Sequence, residues 1–202
     1  MKKPESICVF GDSTAWGAWD MEKGGWVTRL WLYVGNREEN YVELYNQSIS
    51  GGSTSTIMER FESEAKIRGA DGLIFQFGAN DSYLTSKDSP NNISIEKFEQ
   101  NLRDIIVSAV KITDKIIFFG LKNCDESKTT PVSWGNYYYF NSEIEKYDNI
   151  MEKVCKESGI LYLKMRGMLD GSDFEDGIHP NAKGHQKIFE KTRDFLVQNN
   201  WI

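Results

Sequence analysis

The chain has 202 residues, of which 40% are hydrophobic and 27% charged, with a formal net charge of −6. That size and mix suit one globular domain over residues 1–202 with its own core. The acidic balance argues against a nucleic-acid surface, which needs a basic stripe, and no apolar run approaches the roughly 20 residues of a bilayer span.

Lys2 and Lys3 precede an apolar run of only Ile7 to Phe10. A secretory signal needs about 7–15 apolar residues there, so a cytoplasmic location is expected. Cys8, Cys124 and Cys155 are few and far apart. They predict reduced thiols rather than a disulfide framework, and no CxxC or CxxH spacing predicts a metal site.

In chain order, apolar runs alternate with longer amphipathic segments. The first run is Ser6 to Phe10, followed by a helical pattern from Trp26 to Gly35. A second run, Tyr41 to Tyr45, precedes a pattern from Thr54 to Arg68. The third run, Gly72 to Phe77, precedes Ile95 to Lys111, where Phe98, Leu102, Ile105, Ile106 and Ala109 recur at three- and four-residue steps after Ser94, a plausible N-cap. The fourth run, Lys115 to Leu121, leads to a pattern from Ser142 to Ser158 that stops at Gly159. The fifth run, Ile160 to Leu163, precedes a last pattern from Asn181 to Gln198.

The runs are short, rich in β-branched and aromatic residues, and mostly without polar alternation, as parallel strands buried on both faces require. The alternation predicts an α/β three-layer fold with a parallel sheet and right-handed crossovers. In such folds ligands bind beyond the carboxyl ends of the strands. Small and polar residues collect there: Gly11-Asp12-Ser13, Asn46 with Ser50-Gly51-Gly52, Gly78-Ala79-Asn80-Asp81, and later Asp176-Gly177-Ile178-His179.

"CVFGDSTAWG" ends an apolar strand on a glycine, an acid and two hydroxyls. A turn explains this locally. A nucleophilic Ser13 also explains it, and then demands a base, a group to orient the base, and oxyanion donors. The chain has two histidines. His179 follows Asp176 by three residues and precedes Pro180, so the carboxylate can reach back to the imidazole, fix its tautomer and stabilise the imidazolium. A polar surface turn is the alternative. His185 lies inside the last helical pattern with no carboxylate at that spacing, so a packing or solvated role is expected. Gly51 can offer an unobstructed backbone N–H. Asn80 can offer its amide, although asparagine is also a common turn residue.

Together, Gly-Asp-Ser, Asn-x-x-x-x-Gly, Gly-x-Asn-Asp and Asp-x-x-His stand in an order that resembles the SGNH hydrolases, the GDSL-type esterases and lipases. "VFGDSTAWG" resembles their first block, "NQSISGGST" the second, "FQFGANDS" the third and "DGIHPNAKGH" the last. The resemblance runs from residue 6 to about residue 190. It implies a flavodoxin-like α/β/α sandwich with about five parallel strands. It implies Ser13 as nucleophile, His179 as base and Asp176 as its partner. It places Ser13, Gly51 and Asn80 in the oxyanion hole and implies no metal or organic cofactor. Asp12 and Asp81 are expected to hold the neighbouring loops. Thr14 and Ala15 depart from the family's usual residues, at positions that bear on substrate preference rather than chemistry.

The segment from Lys122 to Glu143 is long for a connection and aromatic. Trp16, Trp134 and Tyr138 are the expected substrate contacts, with Trp19 and Tyr137 nearby. The function expected is a serine esterase that hydrolyses short-chain acyl esters, acetyl among them, of a carbohydrate or small metabolite. An acyltransferase of the same fold and a non-catalytic binding module are the alternatives. The expected partner is a small-molecule ester, with no nucleic acid and no membrane span.

Overall fold

The computed structural model describes residues 2–35 and 41–202. Five strands form one parallel sheet in the order β2-β1-β3-β4-β5. They are β1 Ser6–Gly11, β2 Glu43–Asn46, β3 Gly72–Gln76, β4 Ile116–Phe119 and β5 Leu161–Leu163. Each begins and ends within two residues of its predicted run. Alternate side chains of a strand point to opposite faces, and both faces are buried. Cys8, Phe10, Phe75 and Phe118 enter one core, whereas Ile7, Val9, Ile74, Ile117 and Phe119 enter the other. On the first face Phe75 stacks between Phe10 and Phe118, with ring centroids 5.8 and 4.8 Å away.

Helices cover both faces, making the α/β/α sandwich. Helices α2 (Gly25–Gly35) and α9 (Ala182–Gln198) pack together on the second face, with Trp26 at 5.1 Å from Phe119. Helices α6 (Ile95–Ala109) and α8 (Asn141–Glu157) cover the first. Ser94 caps α6 by accepting from the Lys97 N–H.

The predicted helix from Thr54 to Arg68 is two helices, α3 (Thr54–Met58) and α4 (Phe61–Ile67). The break falls at Glu59 and Arg60 without a proline or glycine. Arg60 leaves helical geometry there, and its guanidinium donates to the Gln47 carbonyl, 2.7 Å away in the loop after β2. Three four-residue helices, α1 (Ser13–Trp16), α5 (Ala79–Ser82) and α7 (Glu126–Thr129), were not predicted. One turn is too short to show a helical period.

The chain passes from β1 outward to β2 and then crosses back to β3 on the other side of β1. A crevice opens at such a reversal, beyond the carboxyl ends of β1 and β3. Helices α1 and α5, carrying Ser13 and Asn80, begin at those two ends.

Candidate active site

Gly11 ends β1 where no side chain fits, because a Cβ there would lie 2.5 Å from both the Ala15 Cβ and the Gln76 carbonyl. The chain then turns directly into α1. Asp12 is the N-cap, and its buried carboxylate accepts from the Thr14 N–H at 2.9 Å. Ser13 is the first residue of that turn, so its own N–H has no carbonyl four residues back to bond.

Ser13 Oγ lies 2.8 Å from His179 Nε2, and His179 Nδ1 lies 2.7 Å from Asp176 Oδ2. A carboxylate only accepts, so Nδ1 carries the proton of the neutral ring and Nε2 faces the serine as an acceptor. The Asp176–His179 turn is held by its own backbone. The Ile178 and His179 N–H groups donate to Asp176 Oδ1 at 3.1 and 2.8 Å. Burial alone would raise the Asp176 carboxyl, but hydrogen bonds from the His179 ring and these N–H groups hold it well below the usual carboxylate range. Two indoles also reach Oδ2, from Trp19 at 3.2 Å and Trp134 at 3.1 Å.

Gly51 sits in the loop after β2 with φ +80, a left-handed conformation that suits glycine. The loop is pinned from below. Asn46 donates to the Ala15 carbonyl at 2.9 Å and accepts from the Ser48 N–H. Asn80 Nδ2 donates to the Gly52 carbonyl at 3.0 Å, and the amide keeps a second N–H. Asn80 Oδ1 accepts from the Tyr139 hydroxyl at 3.2 Å. Asp81, fully buried, accepts from the Thr54 N–H and, at 2.5 Å, from the Thr54 hydroxyl. That ties α5 to the start of α3, and burial pushes the Asp81 carboxyl up to about 7.

Ser13, Gly51, Asn80, Asp176 and His179 line one cleft of about 600 Å³. The rest of its wall is largely aromatic: Trp16, Trp19, Tyr83, Trp134, Tyr137 and Tyr139, with Met21 at the rim. Trp16 and Trp134 thus lie where substrate contacts were expected. Tyr138 does not. Its backbone pairs with Leu84 in an extended bridge, N–H to carbonyl in both directions. Extended backbone sends neighbouring side chains to opposite sides. Tyr137 and Tyr139 therefore face the cleft, and Tyr138 turns away to stack on Phe140.

Three participants had no distinct sequence signal. Tyr139 is one of three consecutive tyrosines, and only the Leu84 bridge selects it. Trp19 is legible in the sequence only as an aromatic close to Ser13, and nothing there pairs it with Asp176. Lys122 is buried just after β4, its Nζ donating to the Ile178 carbonyl at 2.6 Å and lying 5.8 Å from the Phe174 ring. Burial pushes the Lys122 ammonium down and the Asp12 carboxyl up, each charge partly offsetting the other. His185 is fully buried and packs; Nδ1 accepts from the Trp26 N–H and Nε2 donates to the Ala18 carbonyl. The three cysteines are free and buried, and no His, Cys, Asp or Glu cluster suited to a metal occurs among the described residues. No helix among the described residues is long and apolar enough to cross a membrane.

The model of the GDSL-like lipase/acylhydrolase family matches residues 9–187. The chain is 25% identical over 204 residues to the Homo sapiens isoamyl acetate-hydrolyzing esterase 1 homolog, across 91% of this chain and 77% of that one. Among solved structures, the lipase/acylhydrolase of Enterococcus faecalis superposes with a TM-score of 0.78 at 19% identity, covering 98% of this chain and 97% of the other. An acetylxylan esterase from Geobacillus stearothermophilus superposes with a TM-score of 0.75 at 16% identity, covering 97% and 94%. The chain belongs to the GDSL-like lipase/acylhydrolase family and is a carboxylic ester hydrolase.

Proposed function

We propose that the enzyme hydrolyses short-chain acyl esters, acetyl esters foremost, of a carbohydrate or other small alcohol, with Ser13 as nucleophile, His179 as base and Asp176 as its partner. The observation that carries this is the continuous relay from Ser13 Oγ through the His179 ring to Asp176, at 2.8 and 2.7 Å.

As Ser13 Oγ bonds to the ester carbonyl carbon, its proton passes to His179 Nε2. The carbonyl oxygen becomes an oxyanion, and the N–H groups of Ser13, Gly51 and Asn80 stabilise it. When the carbon–oxygen bond to the alcohol breaks, His179 gives that proton to the departing oxygen. A water then attacks the acyl-enzyme, losing its proton to His179, and the ring returns it to Ser13 as the acid leaves. Asp176 stays ionised throughout and stabilises the imidazolium.

The named relatives support the acyl preference: one is named for isoamyl acetate and one for acetylxylan, and acetyl is what the two substrates share. The cleft supports a small alcohol with an apolar face, since aromatic rings with polar edges suit a sugar face or a short branched chain.

The test is turnover of p-nitrophenyl acetate, butyrate and octanoate by the wild type and Ser13→Ala. The expected result is falling kcat/KM with chain length and nearly complete loss in the variant. Equal release by both proteins overturns the nucleophile, and a preference for octanoate overturns the short-chain assignment.

A further inference from the structure

Asp176 Oδ2 receives three donors: His179 Nδ1, Trp19 Nε1 and Trp134 Nε1. The two indoles come from distant parts of the sequence, one just after α1 and one from the segment after β4. The two residues are 51% and 47% exposed, yet both indole N–H groups reach the same oxygen. The Trp134 ring centroid lies 6.0 Å from that of His179.

Trp19 adopts φ +65, a backbone conformation that bulky residues avoid. Such a residue persists only where its surroundings over-determine it, and functional sites are where this happens. The surroundings here do so. The Ala18 carbonyl accepts from buried His185 Nε2. The buried Asp20 carboxylate accepts from the Glu22, Lys23 and Gly25 N–H groups and from Arg29 Nε.

We propose that Trp19 and Trp134 are positioning residues for the His179–Asp176 pair: their indole N–H groups hold the Asp176 carboxylate toward His179 Nδ1 and draw part of its charge away from the imidazole. A carboxylate oxygen shared among three donors binds each more weakly than one that serves the imidazole alone. Removing one indole N–H leaves more of the carboxylate's charge to the imidazole and favours the protonated ring. The other ionisable groups near the pair are Asp12 and Lys122 behind it and Tyr139 beside it. Neither indole substitution alters these three side chains themselves.

This inference rests on the relay proposed above, but its test needs no turnover. Trp19→Phe and Trp134→Phe keep a ring and lose the N–H. NMR titration follows the two histidine ring signals, assigned with His185→Gln. In each Phe variant the His179 midpoint is expected to move up by roughly half a pH unit to one unit. The acid limb of kcat for p-nitrophenyl acetate should follow it, with KM little changed. In the wild type the Trp19 and Trp134 indole N–H signals should shift with the same midpoint as His179, which requires no variant to fold. An unmoved His179 midpoint, with KM alone raised, overturns the proposal and leaves the indoles as walls of the cleft. Retained turnover by Ser13→Ala instead overturns the relay, and the NMR result stands apart from it.

Discussion

The Tyr139 hydroxyl donates to Asn80 Oδ1, and Asn80 Nδ2 donates to the Gly52 carbonyl, so the amide is held at both ends. An amide fixed this way presents its remaining N–H to the cleft without reorganising during reaction. The buried Tyr139 hydroxyl stays protonated, because burial pushes its ionisation far up. Tyr139→Phe should therefore lower kcat about 5- to 10-fold, the worth of roughly one hydrogen bond, with KM steady. Asn80→Ala should cost about 10²–10³ in kcat. In the double variant the tyrosine should add almost nothing, because its partner is gone. Additive losses measured across the cycle would show that Tyr139 acts elsewhere.

Gly51 makes a second case, in which conformation and chemistry separate. A Cβ there meets nothing within 4 Å, so alanine is opposed only by φ +80. Gly159 is the same in both respects, with φ +67 and open space, but lies beyond α8 away from the cleft. Alanine at either position should destabilise the fold by about 1–2 kcal/mol. Only Gly51→Ala should also lower kcat, by at least about tenfold, as the loop relaxes and its N–H turns from the oxyanion. Urea denaturation beside ester kinetics compares the two, and a matching kcat loss in Gly159→Ala would refute the assignment.

The difference between Tyr138 and Tyr139 shows where the sequence stopped being informative. Hydrophobic runs located the strands because a strand buried on both faces must be apolar along its length. The residues that follow those runs, Ser13, Gly51 and Asn80 among them, could be placed at one cleft because ligands bind beyond the carboxyl ends of a parallel sheet. The facing of "YYY" depends on a bridge to Leu84, 54 positions earlier, and no local period records it. The same holds for Trp19, whose partner Asp176 is 157 positions away. The break at Arg60 depends on the Gln47 carbonyl, a contact that exists only once β2 has paired. Elements set by local pattern were legible, whereas side-chain partnerships closed by tertiary contact were not.

Lys122 supports the Asp176–His179 turn from within the fold. Its ammonium donates to the carbonyl of Ile178, the residue between Gly177 and His179. Lys122→Met removes that donor and leaves the buried Asp12 charge without its offsetting cation. A loss of about 1–3 kcal/mol in stability is expected, together with a roughly tenfold or larger drop in kcat as His179 loses its register. Lys183 pairs with Asp173 at 3.3 Å but its side chain is 60% exposed, so Lys183→Met should cost no more than about 1 kcal/mol and leave kcat unchanged. Equal effects of the two substitutions, measured by denaturation and turnover, would remove Lys122 from the site's support.

His185 predicts how stability depends on pH. The ring is fully buried, with the Trp26 N–H on Nδ1 and the Ala18 carbonyl on Nε2, a pairing that only the neutral ring satisfies. Burial is the main reason its pKa falls from 6.5 to about 4. The unfolded chain therefore takes up this proton before the folded one does. The stabilisation is fully present above about pH 6.5 and is lost as the pH falls toward 4. Over the whole window it amounts to about 3 kcal/mol, and by pH 5 about 2 kcal/mol of it is gone. Asp81, pushed up to about 7, works in the opposite direction over the same range, so the wild type alone does not isolate His185. Comparison with His185→Gln does, because the glutamine amide can both accept and donate without titrating. Between pH 7.5 and pH 5 the stability advantage of the wild type over His185→Gln should shrink by about 2 kcal/mol in urea denaturation. A gap that stays constant across that range would mean that protonation of His185 is not linked to unfolding.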